Sequence, residues 1–181
     1  MTTYDLPDEI RVDADGPIRV VTLNRPDRLN ATNHVLHAGL AALFPQLDAD
    51  DEARVAVLTG AGRAFSAGGD FDYLDELARD AALRSTTLMH GRQIVTGMVG
   101  CRLPMIAAVN GPAVGLGCSL VALSDVVFMA ESATREQPSP TAGPLTAAIK
   151  GSRHPTMPVT IWRPCLSVVL RSAASRASSS R

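Results

Sequence analysis

Two glycine-containing turns are where the backbone of this chain could take part in chemistry. Ala64-Phe-Ser-Ala-Gly-Gly-Asp70 follows the apolar run Val55–Thr59, and Asn110-Gly-Pro-Ala-Val-Gly-Leu-Gly-Cys118 follows Met105–Val109. Glycine lets a ligand come close to the main chain. If helices begin just after these turns, their free N–H groups point at whatever lies beyond the strand ends, which suits a phosphate or a developing oxyanion. The plainer alternative is a pair of tight strand-to-helix connections with no ligand. Known nucleotide loops fit neither turn. Gly60-Ala-Gly-Arg-Ala-Phe-Ser lacks the lysine of a phosphate-binding loop, and Gly115-Leu-Gly-Cys-Ser-Leu120 has leucine where the dinucleotide fingerprint needs its third glycine.

Side chains for proton transfer or metal binding are sparse. Asp70, Asp72, Asp75 and Asp125 are the carboxylates near the turns. His34 and His37 fall on one helical segment, His90 on another and His154 near the C-terminus, without the i,i+4 pairing or neighbouring acid of a metal site, so none is assigned. Cys101, Cys118 and Cys165 are few, odd in number and free of C-x-x-C spacing, which argues against a disulfide framework or zinc and points to a reducing, cytoplasmic setting. Cys118, although it sits at the second turn, reads as a buried inert residue.

The elements that must position these turns alternate between strand and helix. Ile10–Asp13 and Ile18–Leu23 flank the turn signal Asp15-Gly-Pro17 and predict a hairpin. Leu36, Leu40, Leu43, Phe44 and Leu47 recur at helical spacing, with Asn30 or Thr32 as the cap. Val55–Thr59 and Met105–Val109 read as buried strands, Leu83–Val99 and Val114–Leu123 as helices, and Asp125–Met129 as a further strand. The pattern is α/β.

Charge breaks the chain near Thr134. Residues 1–134 carry 10 basic and 17 acidic groups, whereas residues 135–181 carry 7 basic groups and 1 acidic group. The latter segment holds half of the prolines and ends in Ser172-Ala-Ala-Ser-Arg-Ala-Ser-Ser-Ser-Arg181. It is expected to have little fixed structure, although Val159–Ile161 and Leu166–Leu170 are apolar. The overall net charge of −1 implies no pull toward nucleic acid or an anionic membrane. No apolar run approaches the roughly 20 residues of a membrane span, and the acidic N-terminus lacks the features of a secretory signal.

Three segments together carry a specific resemblance. Asn24-Arg-Pro-Asp-Arg-Leu-Asn-Ala31, Ala64-Phe-Ser-Ala-Gly-Gly-Asp-Phe71 and Ala107-Ala-Val-Asn-Gly-Pro-Ala-Val-Gly-Leu-Gly-Cys118, in this order and spacing, resemble the crotonase (enoyl-CoA hydratase/isomerase) superfamily over roughly residues 8–134. The resemblance implies a crotonase-like spiral of β-β-α units, with the family's C-terminal helical part missing or altered here. It implies an acyl-CoA thioester as substrate, with coenzyme A as part of that substrate and no separate cofactor. A backbone oxyanion hole would be formed by the N–H groups of Gly69 and Leu116. Binding positions carried over are Arg28, Ala31, Ala64, Ala67, Gly68, Asp70 and Gly115, with Arg28 approaching the nucleotide phosphates and Asp70 at a position that is often structural. A trimer-type homo-oligomer also follows from the family.

The sequence departs from the family at two chemical positions. Where family hydratases place glutamates, this chain has Ser119 and Ser139. The expected function is therefore enoyl-CoA hydratase or isomerase chemistry in fatty-acid metabolism, with an enolate stabilised by the oxyanion hole. The alternative is a catalytically inactive remnant or a non-catalytic acyl-CoA binder. A purely structural interaction protein explains neither turn. Because composition changes where the resemblance lapses, residues 135–181 are expected to derive from a changed reading frame or truncation.

Overall fold

The computed structural model describes residues 3–131, residue 133 and the backbone of residues 135–136. The expectations for Ser139, His154, Cys165 and the segment after Glu136, including its origin, lie outside the described residues.

Strands β1 (Ile10–Asp15) and β2 (Ile18–Leu23) form the predicted hairpin, in antiparallel register from Ile10 opposite Leu23 to Asp15 opposite Ile18. Helix α1 (His34–Asp48) then crosses over to β3 (Val55–Gly60), which runs parallel to β2. The cap of α1 is neither Asn30 nor Thr32: the Asn33 side chain accepts from the Leu36 N–H at 2.9 Å. Asn30 is withdrawn from that role because its amide is buried and used elsewhere.

Between β3 and the parallel strand β4 (Met105–Val109) stand two helices, α2 (Phe71–Arg79) and α3 (Ala81–Gly100). Only the second matches the predicted segment. Asp80 separates them, and its carboxylate caps α3 by accepting from the N–H groups of Ala82 and Leu83. After β4 the chain makes the two-residue strand β5 (Ala113–Val114), helix α4 (Leu116–Leu123) and β6 (Val126–Met129). The helix predicted from Val114 thus begins later, because Ala113 and Val114 are extended and pair in parallel with β7 (Arg135–Glu136). The main sheet has the order β1-β2-β3-β4-β6, parallel throughout except for the hairpin.

The apolar face of α1 explains the core. Leu36, Leu40, Leu43, Phe44 and Leu47 are fully buried with Ile94 and Met98 of α3 and with Val21, Leu23, Leu58, Met105 and Val109 of the sheet. Each large side chain so buried contributes roughly 1.5–3 kcal/mol of transfer free energy. This core fixes the strand ends from which both glycine turns emerge. No helix among the described residues is long and apolar enough to cross a membrane.

Candidate active site

Both turns leave the same end of the sheet, one after β3 and one after β4, and hydrogen bonds join them. Phe65 and Ser66 donate their N–H groups to the Pro112 carbonyl, and Val114 N–H donates to the Ser66 carbonyl at 2.8 Å. Glycines permit this approach: a Cβ at Gly111 would stand 2.0 Å from the Arg63 carbonyl oxygen and one at Gly117 2.7 Å from Ser66 Cβ, and two further glycines meet each other. Gly68 has φ +88°, and a Cβ there would stand 3.1 Å from the Val114 carbonyl oxygen; Gly115 has φ +55°, and a Cβ there would stand 3.5 Å from Gly68 Cα. Side chains rarely adopt this left-handed backbone. Each of these touching glycines is followed directly by a predicted oxyanion donor, Gly69 in one turn and Leu116 in the other.

Neither donor is used by the described protein. The Gly69 N–H has no acceptor there, and Leu116 is the first residue of α4, where helical N–H groups lack an intrahelical partner. Gly69 is exposed and Leu116 half-buried, so both peptides can be reached. Helix α4 also directs the positive end of its dipole toward this region.

Two asparagines that the sequence reading left without a site role hold the turns in place. Asn30 is fully buried, accepts from Arg25 N–H at 2.8 Å, and donates to the carbonyls of Ala61 and Ala64 at 2.9 Å each. Asn110 donates to the carbonyls of Gly60, Gly62 and Ala64, and accepts from Gly60 N–H at 3.2 Å. Ser66 is buried too; its hydroxyl donates to the Asn30 carbonyl at 2.8 Å and accepts from Gly68 N–H at 3.3 Å. All three lie inside the quoted motif segments, which was the available signal, but spacing does not reveal which carbonyl a buried amide will meet.

The remaining carried-over positions divide by what already occupies them. Ala64 offers a carbonyl committed to both asparagines, Ala67 donates its N–H to the Leu29 carbonyl at 2.9 Å, and the Ala31 carbonyl accepts from Arg25. Asp70 caps α2 through Asp72 N–H at 3.2 Å and pairs with Arg25 at 3.1 Å, so its carboxylate is engaged in the scaffold. Arg28 stands apart on the surface, 3.8 Å from exposed Asp72. Ser119 is half-buried on α4, and its hydroxyl donates to the Gly115 carbonyl at 3.3 Å.

The other candidate acids and bases are likewise accounted for. Asp75 pairs with Arg79 at 2.5 Å along α2, and Asp125 accepts from Met105 N–H at 2.7 Å. His37 packs beside His90 and Tyr73, with ring centroids 6.0 and 6.5 Å away. Burial, and secondarily the charge of His90, pushes His37 down to about 4. Cys118 is buried on α4, as read from the sequence. Among the described residues no cluster of three or more His, Cys, Asp or Glu is placed to hold a metal ion.

Known proteins resemble this chain in sequence and fold. The family model for enoyl-CoA hydratase/isomerase matches residues 13–155, running past the compositional break near Thr134. A "Probable enoyl-CoA hydratase" from Rhodobacter capsulatus is 38% identical over 124 residues, covering 68% of this chain and 47% of that protein. The 1,2-epoxyphenylacetyl-CoA isomerase of Escherichia coli is 38% identical over 118 residues, covering 64% of this chain and 45% of the isomerase. An enoyl-CoA hydratase/isomerase structure from Mycobacterium paratuberculosis superposes with a TM-score of 0.74 and 64% sequence identity, over 75% of this chain and 54% of that one. The chain spans about half the length of the curated relatives it matches.

Proposed function

This chain belongs to the enoyl-CoA hydratase/isomerase family of the crotonase superfamily, and we propose that it binds an acyl-CoA thioester with the thioester oxygen between the N–H groups of Gly69 and Leu116. One observation carries the reading: two turns pressed together through Gly68 and Gly115 each present, one residue later, a peptide N–H with no acceptor among the described residues. Such donors stabilise the negative charge that grows on the thioester oxygen when the α-carbon loses a proton or the β-carbon gains a nucleophile. Losing one oxyanion donor costs roughly 3–4 kcal/mol of transition-state stabilisation in studied enzymes. Coenzyme A enters as part of the substrate, and the reading calls for no further cofactor.

The proton-transfer half of the chemistry is where this chain differs. Ser119 occupies a position where family hydratases carry a glutamate, and its hydroxyl already donates to the Gly115 carbonyl. A serine hydroxyl does not act as a general base at neutral pH, and loss of one general acid or base typically lowers rate 10²–10⁴-fold. The second reading, an acyl-CoA binder with little hydratase turnover, rests on this substitution. The family's trimer-type assembly and a cytoplasmic setting remain part of the proposal.

Calorimetry and a hydration assay test both readings. Butyryl-CoA binds the full chain more tightly than free CoA, and Gly69→Pro, which removes the donor N–H, reduces that preference while circular dichroism stays unchanged. Hydration of crotonyl-CoA runs at least about 10²-fold below that of a family enzyme with both glutamates. If butyryl-CoA does not bind, the functional assignment is wrong; if hydration is robust, the acid and base lie elsewhere in the chain.

A further inference from the structure

Arg25 bridges the two backbone segments that aim the Gly69 N–H. Its guanidinium donates to Asp70 Oδ2 at 3.1 Å and to the Ala31 carbonyl. Between these anchors lies a parallel bridge linking Thr32 to Gly69: Thr32 N–H donates to the Gly68 carbonyl at 2.6 Å, and Asp70 N–H donates to the Thr32 carbonyl at 3.0 Å. In a planar trans peptide the N–H points opposite to the carbonyl of the same unit. With the Gly68 carbonyl held by Thr32, the Gly69 N–H is therefore turned away from Thr32, toward the exposed side of the turn.

The rotation of this one peptide sets the donor's aim, and two adjacent glycines leave it intrinsically soft. The planar fork of arginine satisfies two acceptors in fixed relative positions, which a point charge on a flexible stem does not. The Arg25 and Asp70 side chains are only 16% and 9% exposed, so solvent screens the pair weakly. Asp70 also caps α2, so the same carboxylate ties the turn to the helix that follows.

We propose that Arg25 is a positioning residue of the oxyanion site: its fork on Asp70 and Ala31 holds the peptide between Gly68 and Gly69 so that the Gly69 N–H meets a thioester oxygen. This assignment rests on the acyl-CoA reading above. The residue touches no reacting atom; it acts through Asp70 and Thr32.

The test uses the full 181-residue chain, butyryl-CoA carrying carbon-13 at the thioester carbonyl, and free CoA as a probe without that oxygen. Infrared difference spectra read the carbonyl stretch, which falls in frequency when aligned donors polarise the bond. Binding to the unsubstituted protein lowers the band. In Arg25→Gln the lowering shrinks by about half or more, and the preference for butyryl-CoA over CoA drops roughly tenfold, while CoA affinity changes less than about twofold. Asp70→Asn keeps a competent helix cap but loses the charge, moves the band in the same direction, and carries the test if Arg25→Gln does not fold. A folded variant of either kind whose bound band is lowered as fully as in the unsubstituted protein overturns the proposal and leaves the acyl-CoA reading standing. Failure of the unsubstituted protein to bind butyryl-CoA removes both.

Discussion

Burial of His37 makes its protonation costly in the folded chain. The residue is 7% exposed, its Nδ1 has no partner among the described residues, and His90 adds a second positive charge from α3 when protonated. Its folded value of about 4 lies below the unfolded value near 6.5. The unfolded state therefore binds the proton first as pH falls. The stability this group contributes is fully present above the unfolded value and is lost as pH drops from about 6.5 toward 4, by on the order of 2–3 kcal/mol. Urea denaturation at pH 7 and pH 4.5 measures it, and in His37→Gln the difference between the two pH values is smaller than in the unsubstituted chain. An identical difference in both proteins would place the acid sensitivity elsewhere. Nothing in the sequence marked His37 as distinct from exposed His34; both rings stand near Tyr73 of α2, and the distinction arises because His37 also packs beside His90 of α3 and is buried there.

Helix α2 shows how an element escapes sequence reading. Phe71, Leu74, Leu77 and Ala78 recur at helical spacing, yet its one buried residue is Tyr73, while Phe71 is 87% exposed and Leu74 48% exposed, so this stripe is not spent on the core of the described residues. Helix α1, by contrast, buries five large apolar side chains at three- and four-residue spacing, and this stripe was legible in the sequence although its cap was not. What delimits α2 from α3 is Asp80, whose carboxylate takes two N–H groups of the second helix. Asp80→Ala is expected to cost about 1 kcal/mol and to speed amide exchange in the first turn of α3, leaving α1 unaffected. Hydrogen-exchange mass spectrometry over residues 76–86 reads the result, and unchanged exchange there would mean that packing alone sets the boundary.

At the scale of the molecule, Leu88 and Val99 lie three turns apart on one face of α3, 55% and 66% exposed, with Val95 half-buried between them. Exposed apolar side chains along one helix face favour association. Sedimentation velocity on the full chain should show concentration-dependent self-association, and Leu88→Glu with Val99→Glu should weaken it; a monomer unaffected by concentration would sink that expectation and the family-type assembly with it. The sequence by itself determined the α/β alternation, the hairpin, the core-facing stripe of α1 and the family, because apolar periodicity and three ordered motifs are local properties of a chain. It also named the positions of the two proposed oxyanion donors, since a backbone N–H follows from position in a motif whatever side chain is attached. Tertiary structure alone decided that Asn30 and Asn110 share the Ala64 carbonyl, that Arg25 reaches Asp70 across 45 residues, and that Asp70 is consumed by the scaffold. Those partnerships depend on which strand ends lie side by side, and one-dimensional spacing carries no record of that.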